Sequence, residues 1–189
     1  MPFSINSKLS TTLYKAFLAL TLSYPTTSLA NASCASVEAL NLIQRHNLAF
    51  AYSQGRPHDL GYTLAAIALV ESKAGQWRLN VRTNDLGLFQ INATTAQNTL
   101  GVEHPYRQLE LHQQLVYDDR LGAEIAIATL KHFQRNREMT ARVWREMIKG
   151  YNEGNRWKRD KVSLKKAQKY ADKVSESVRV LKQCEEMWL

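Results

Sequence analysis

The first feature of this chain that could do chemistry is an acid at the end of an apolar run. Leu64-Ala65-Ala66-Ile67-Ala68-Leu69-Val70 leads straight into Glu71, and after a polar, irregular interval the sequence turns apolar again at Gly87-Leu88-Phe89-Gln90-Ile91-Asn92. The run predicts a buried helix over residues 60–72. Asp59 is the expected cap, because a short acceptor satisfies the free N–H groups at a helix start. Glu71 then falls at the C-terminal end, where the negative pole of the helix and an apolar wall both raise a carboxyl pKa. Such a group stays protonated near neutral pH, ready to donate a proton. The competing reading is an exposed glutamate where a helix meets a loop.

The elements that must position this acid read as helices. Residues 36–53 carry Val37, Leu40, Ile43, Leu48 and Phe50 near helical period, and Gly55-Arg56-Pro57 breaks them. Residues 73–92 read as loop with a short hairpin. Thr94-Thr95 is expected to cap a short helix to Leu100, which Gly101 stops. His104-Pro105 opens another loop, with only faint helical character before Asp118. Asp119 starts a clear helix whose apolar face is Leu121, Ile125, Ala128, Leu130 and Phe133. Thr140 caps Ala141 to Lys149, which packs through Val143, Trp144, Met147 and Ile148. A glycine-bracketed loop, Gly150 to Gly154, follows. Ser163 caps a long last helix to Met187. The sum is one mainly α domain.

The first thirty or so residues are a separate matter. Lys8 and Lys15 precede the apolar run Ala16 to Leu22, and small residues end in Ala30-Asn31-Ala32. That is the order of a secretory signal with an A-x-A cleavage site, so residues 1–32 are the expected leader and 33–189 the domain. The run is too short to span a bilayer, which takes about 20 residues, and no membrane span is expected after cleavage. The two cysteines, Cys34 and Cys184, suit an oxidising compartment, where they can join the two ends of the domain. Free thiols and a lipidated Cys34 are the alternatives, although Asn31 stands where a lipobox usually has Leu. Two cysteines and five scattered histidines show no metal-ligand spacing, so neither metal nor cofactor is expected. The formal charge of +8 falls to +6 once Lys8 and Lys15 leave with the leader. Much of it lies between Arg156 and Lys182, a field that favours polyanions such as an acidic cell wall.

Three short stretches then line up: Glu71-Ser72, Gly87-Leu88-Phe89-Gln90-Ile91, and Tyr151-Asn152-Glu153-Gly154. In this order they resemble the soluble-type (SLT) lytic transglycosylases, which have a lysozyme-like fold and the pattern E-S, G-L-M-Q, A-Y-N-x-G. Tyr170-Ala171-Asp172-Lys173-Val174 fits the Y-x-x-K-V often found in their last helix. The resemblance covers residues 58–176. Phe89 stands for the usual Met and Gly150 for the usual Ala; neither departure removes a polar group. The form Asp85-Leu86-Gly87-Leu88-Phe89-Gln90-Ile91-Asn92 is most similar to the small specialised transglycosylases that accompany secretion, conjugation and pilus machines.

The resemblance implies an exported enzyme of the bacterial periplasm or cell envelope that cuts peptidoglycan glycan strands, with components of such a machine as partners. It implies that Glu71 is the sole acid and base. Glu71 would protonate the oxygen between N-acetylmuramic acid and N-acetylglucosamine, then take the proton of the 6-hydroxyl as a 1,6-anhydro ring closes. Ser72, Phe89, Gln90, Tyr151, Asn152 and Tyr170 are the implied substrate-side residues. Three have a plainer reading: Ser72 as a polar helix end, Gln90 as a buried amide, Tyr170 as core. Trp77, Trp144, Trp157 and Trp188 are rings that could stack on sugars, with Trp144 placed in the core by its spacing. Two-carboxylate glycosidases differ; Asp85 and Asp119 are the candidates for a second acid, or else caps of a turn or helix. A muramidase, which hydrolyses the same bond, and a non-catalytic peptidoglycan-binding scaffold are the competing functions. A nucleic-acid partner is not expected, since no reading motif accompanies the basic helix.

Overall fold

A computed structural model describes residues 34–189, and the expected leader lies outside the described residues. The helix expected over 36–53 is two pieces. Residues 34–38 are helical, and α1 (Leu42–Gly55) begins anew after Asn41. The cause is a capping box: the Gln44 N–H donates to Asn41 Oδ1 at 2.9 Å, and the Asn41 N–H donates to Gln44 Oε1 at 3.0 Å.

The centre of the molecule is α2 (Gly61–Ser72), in which every residue from Thr63 to Ala68 is buried. A helix apolar all round can only be covered on all sides, and α1 and the last helix pack against it. Asp59 does not cap it. That residue has φ +58° and closes a short 3₁₀ turn at Arg56–His58, so Leu60 is the N-cap and no side chain bonds the helix start.

The irregular stretch after α2 folds into a small antiparallel sheet of two-residue strands, β1 (Leu79–Asn80), β2 (Asp85–Leu86) and β3 (Ile91–Asn92). Leu79 faces Leu86, which faces Ile91; Asn80 faces Asp85, which faces Asn92. Asn92, rather than Thr94 or Thr95, caps α3 (Ala93–Leu100), and Gly101 ends it at φ +64° as expected. The loop expected next is instead α4 (Pro105–Tyr117), with Pro105 at its first turn. Only Leu111 and Leu115 of α4 are buried, so its amphipathic signal is thin. It lies hard against Gly87, where φ is +77° and a Cβ would sit 2.0 Å from the Leu115 carbonyl oxygen. Glycine is required there on both counts.

α5 (Asp119–Gln134) starts where expected, capped by Asp118 at 3.0 Å from the N–H groups of Arg120 and Leu121. Thr140 caps α6 (Ala141–Glu153), which runs on through the expected Gly150 loop. Gly150 lies within the helix, and its missing side chain makes room for Phe133 of α5: a Cβ there would lie 2.3 Å from Phe133 Cγ. The last helix, α7 (Lys161–Gln183), is capped by Asp160 and not by Ser163. It ends four residues short of the expected Met187, and a 3₁₀ turn follows at Glu185–Met187. Cys34 and Cys184 form a disulfide, which settles the open reading of these cysteines. Trp188 beside it meets Tyr52 and Tyr62 edge-on and donates its indole N–H to the Leu181 carbonyl. Among the described residues no helix is long and apolar enough to cross a membrane.

Candidate active site

The site is built on the way α2 ends. Lys73 and Ala74 both adopt positive φ, 49° and 54°, so the chain leaves the helix in a left-handed turn. The Ala74 N–H returns to the Ala68 carbonyl at 2.9 Å, as in a Schellman stop. Two amides of α1 clasp that turn from outside: Gln44 Nε2 donates to the Lys73 carbonyl and Asn47 Nδ2 to the Ala74 carbonyl, both at 2.9 Å. Inside it, Ser72 Oγ donates to the Leu88 carbonyl at 2.6 Å and accepts from the Gly75 N–H at 2.8 Å. Ser72 is wholly buried. Its hydroxyl rivets the end of α2 to the Gly87–Ile91 stretch.

Glu71, one residue earlier, faces a cavity of about 100 Å³ lined also by Asp85, Gln90, Ile91, Asn92, Thr95, Thr129, Tyr151 and Asn152. Tyr170 of α7 donates its hydroxyl to Glu71 Oε1 at 2.5 Å. Burial pushes the Glu71 carboxyl up from 4.5 to about 7. The Tyr170 hydrogen bond and the charge of Lys173 pull it down, and the charge of Asp85 pushes it up. Burial also holds the Tyr151 and Tyr170 phenols well above their ordinary value, with the Glu71 charge adding to both. Tyr170 is thus a hydrogen-bond donor and stays one. Glu71 is thus a carboxyl that holds or releases a proton near neutral pH, at the wall of a cavity.

Gln90 was expected to face the cleft between two core residues, and Phe89 and Ile91 are indeed buried on either side of it. Its φ of +47° is unusual for a residue with a side chain. The amide Nε2 donates to the Gly87 carbonyl at 3.0 Å and the Trp77 carbonyl at 3.2 Å. Both donors are spent on the backbone, so the Oε1 end is left for the cavity. Tyr151 donates its hydroxyl to the Phe89 carbonyl at 2.8 Å while its ring lines the cavity. Asn152 is exposed on the same wall. Phe89 itself has no exposed surface and packs against Gly122. It lies behind the cavity wall, in the core. Asn92, Thr95, Thr129, Tyr151 and Asn152 also border a larger cleft of about 780 Å³ that runs past His132 and Phe133 to Arg156. Sequence reasoning missed Thr95 and Thr129, which carry no motif.

The two candidates for a second acid part company. Asp119 makes a bidentate pair with Arg78, at 2.6 and 2.9 Å, and is structural. Asp85 is in the Glu71 cavity, with Oδ2 accepting from Thr83 Oγ1 at 2.6 Å and Oδ1 from Asn92 Nδ2 at 3.0 Å. Of the tryptophans, Trp144 bonds Thr63 Oγ1 at 2.9 Å, Trp157 lies under Lys149 and Lys158, and Trp188 is buried by the disulfide. Trp77 alone stands open beside the site.

Residues 48–174 match the family model described as the transglycosylase SLT domain, a span that includes Glu71, Gln90, Tyr151 and Tyr170. No curated protein and no solved structure matches the chain. The structure, mainly α with a small three-stranded sheet, agrees with that match as a lysozyme-like domain. The chain belongs to the SLT transglycosylase family, whose activity is on peptidoglycan.

Proposed function

We propose that the protein is a lytic transglycosylase in which Glu71 serves as both acid and base. The protonated Glu71 carboxyl gives its proton to O4 of N-acetylglucosamine, the oxygen that links it to C1 of N-acetylmuramic acid, and the C1–O4 bond breaks. The acetamido oxygen of the same muramic acid supports the positive charge at C1. The Glu71 carboxylate then removes the proton of the 6-hydroxyl as O6 bonds to C1, closing the 1,6-anhydro ring; no water is consumed. A carboxyl with a pKa of about 7 suits both transfers, because neither protonation state is strongly preferred. Tyr170 donates to the carboxylate that the first transfer creates. The Gln90 Oε1, Asn152 and the Tyr151 ring supply polar and apolar contacts to the sugars.

The observation that carries this reading is Glu71 itself, buried, held by one phenol and open to one cavity. An acid of that kind is costly in a mere binder. The disulfide and the leader-like N-terminus support an extracytoplasmic site of action. The Asp85–Asn92 sequence form supports local wall opening beside a secretion, conjugation or pilus machine. A second reading has its own observation: Asp85 shares the cavity and raises the pKa of Glu71, as the second carboxylate of a muramidase would. Mass spectrometry of muropeptides released from purified peptidoglycan separates them. The wild type is expected to release anhydromuropeptides and Glu71→Gln none. Reducing-end products would transfer the proposal to a hydrolase using Asp85. Binding without release by the wild type would leave a scaffold.

A further inference from the structure

Residues 156–171 hold seven lysines and arginines against one acid, Asp160. That is a net +6, equal to the whole net charge of residues 33–189, so the rest of the domain is balanced. The stretch runs from the 3₁₀ turn at Arg156–Lys158 into the first half of α7, and all seven cations are exposed. Asp160 is spent on the helix start, accepting from the Val162 and Ser163 N–H groups at 3.1 and 2.8 Å. Among the described residues only Arg156 of the seven has an ion pair, with Glu153 at 3.3 Å.

These charges are placed against the interest of the fold. Lys161, Lys165 and Lys169 follow one another at four-residue spacing, away from the buried Ala167, Tyr170, Ala171 and Val174, and like charges so spaced repel. Lys161 also opens α7, whose first turn holds no acid, and cations are disfavoured at that pole of a helix. A partner of opposite charge relieves both. One small anion is a poor fit, since the three lysines stand on the outer face of a helix and line neither cavity at the Glu71 site. Flexible ammonium groups suit many mobile anions better than one fixed pair. Val162, 63% exposed, stands among them. A layer of phospholipid headgroups both supplies mobile phosphates and admits an apolar side chain. A polysaccharide or nucleic acid supplies only the charge.

We infer that this face docks the protein on an anionic phospholipid surface. Arg156 belongs both to the face and to the rim of the larger cleft, so docking holds the cleft beside the membrane. Such docking is independent of which bond is cut. Co-sedimentation with phosphatidylcholine vesicles, with and without phosphatidylglycerol, measures it. The wild type is expected to bind only vesicles that contain phosphatidylglycerol, and salt is expected to release it. Lys161→Gln/Lys165→Gln/Lys169→Gln is expected to bind about a hundredfold more weakly, about 2.8 kcal/mol. The same three positions changed to Arg should keep the affinity. The Gln variant should melt no lower than the wild type, because two repulsions are removed. It should also cut purified peptidoglycan at the wild-type rate. Equal binding of the wild type to neutral and anionic vesicles, or undiminished binding by the Gln variant, would overturn the membrane face. So would lysine-dependent co-sedimentation with purified peptidoglycan and none with vesicles, since the face would then belong to the wall.

Discussion

Glu71→Gln is expected to stabilise the folded protein while it removes activity, and the gain should depend on pH. Folding lifts the Glu71 carboxyl from 4.5 to about 7, mainly by burial. The folded state therefore holds this proton more tightly than the unfolded chain. Its stabilising effect is fully present below about pH 4.5 and is lost as pH rises through about 7. At about 1.4 kcal/mol per unit, the shift amounts to about 3 kcal/mol by pH 8. Gln has the same size, accepts the Tyr170 hydroxyl through its Oε1, and never ionises. Urea denaturation of both proteins from pH 4 to 9 measures the difference. The curves should nearly coincide at pH 4 and stand about 3 kcal/mol apart at pH 8, with the variant more stable. In heating experiments the same gap is roughly 6–12 °C for a domain of this size. Wild-type and variant stabilities that run parallel across the whole range would refute the reasoning, because Glu71 would then titrate alike in both states.

Tyr170→Phe removes the one hydrogen bond that favours the carboxylate, so the pH above which cleavage falls should move upwards, and turnover should drop by roughly tenfold or more; a pH–rate profile on peptidoglycan reads both. Ser72→Ala leaves the Gly75 N–H and the Leu88 carbonyl without their partner and should cost about 1–3 kcal/mol in denaturant titration. Replacing Cys34 and Cys184 by Ser opens a loop of 150 residues and should cost about 4–5 kcal/mol, with a lower melting midpoint that reductant lowers no further.

The acid-bearing end of α2 was legible because its signal is local: an unbroken apolar run and then an acid. The helix start was not, since Asp59 has the right side chain in a left-handed backbone. α4 escaped because Tyr106, Leu109 and Tyr117, which blur its apolar face, are all exposed, leaving two buried leucines to mark thirteen residues. Gly150 misled for the opposite reason. Its lack of a side chain serves the fit of Phe133, a contact between helices that no local pattern announces. The acid, Gln90, Tyr151 and Tyr170 were named through motifs, and a motif alone gives no side-chain direction. Ser72 and Phe89 belong to the same motifs and turn inward. The Arg78–Asp119 pair joins residues 41 apart, and only the fold reveals it.

The bond between Tyr170 and Glu71 spans 99 residues of sequence. On a ribosome, α1 and α2 emerge long before α7, and α2 is buried only once α7 has docked. Until then Glu71 lies on an uncovered apolar helix, hydrated and without its phenol, with the pKa of an ordinary carboxylate. The proton-holding acid is therefore a property of the finished chain alone. A nascent or truncated product that stops before Tyr170 carries Glu71 but not the site.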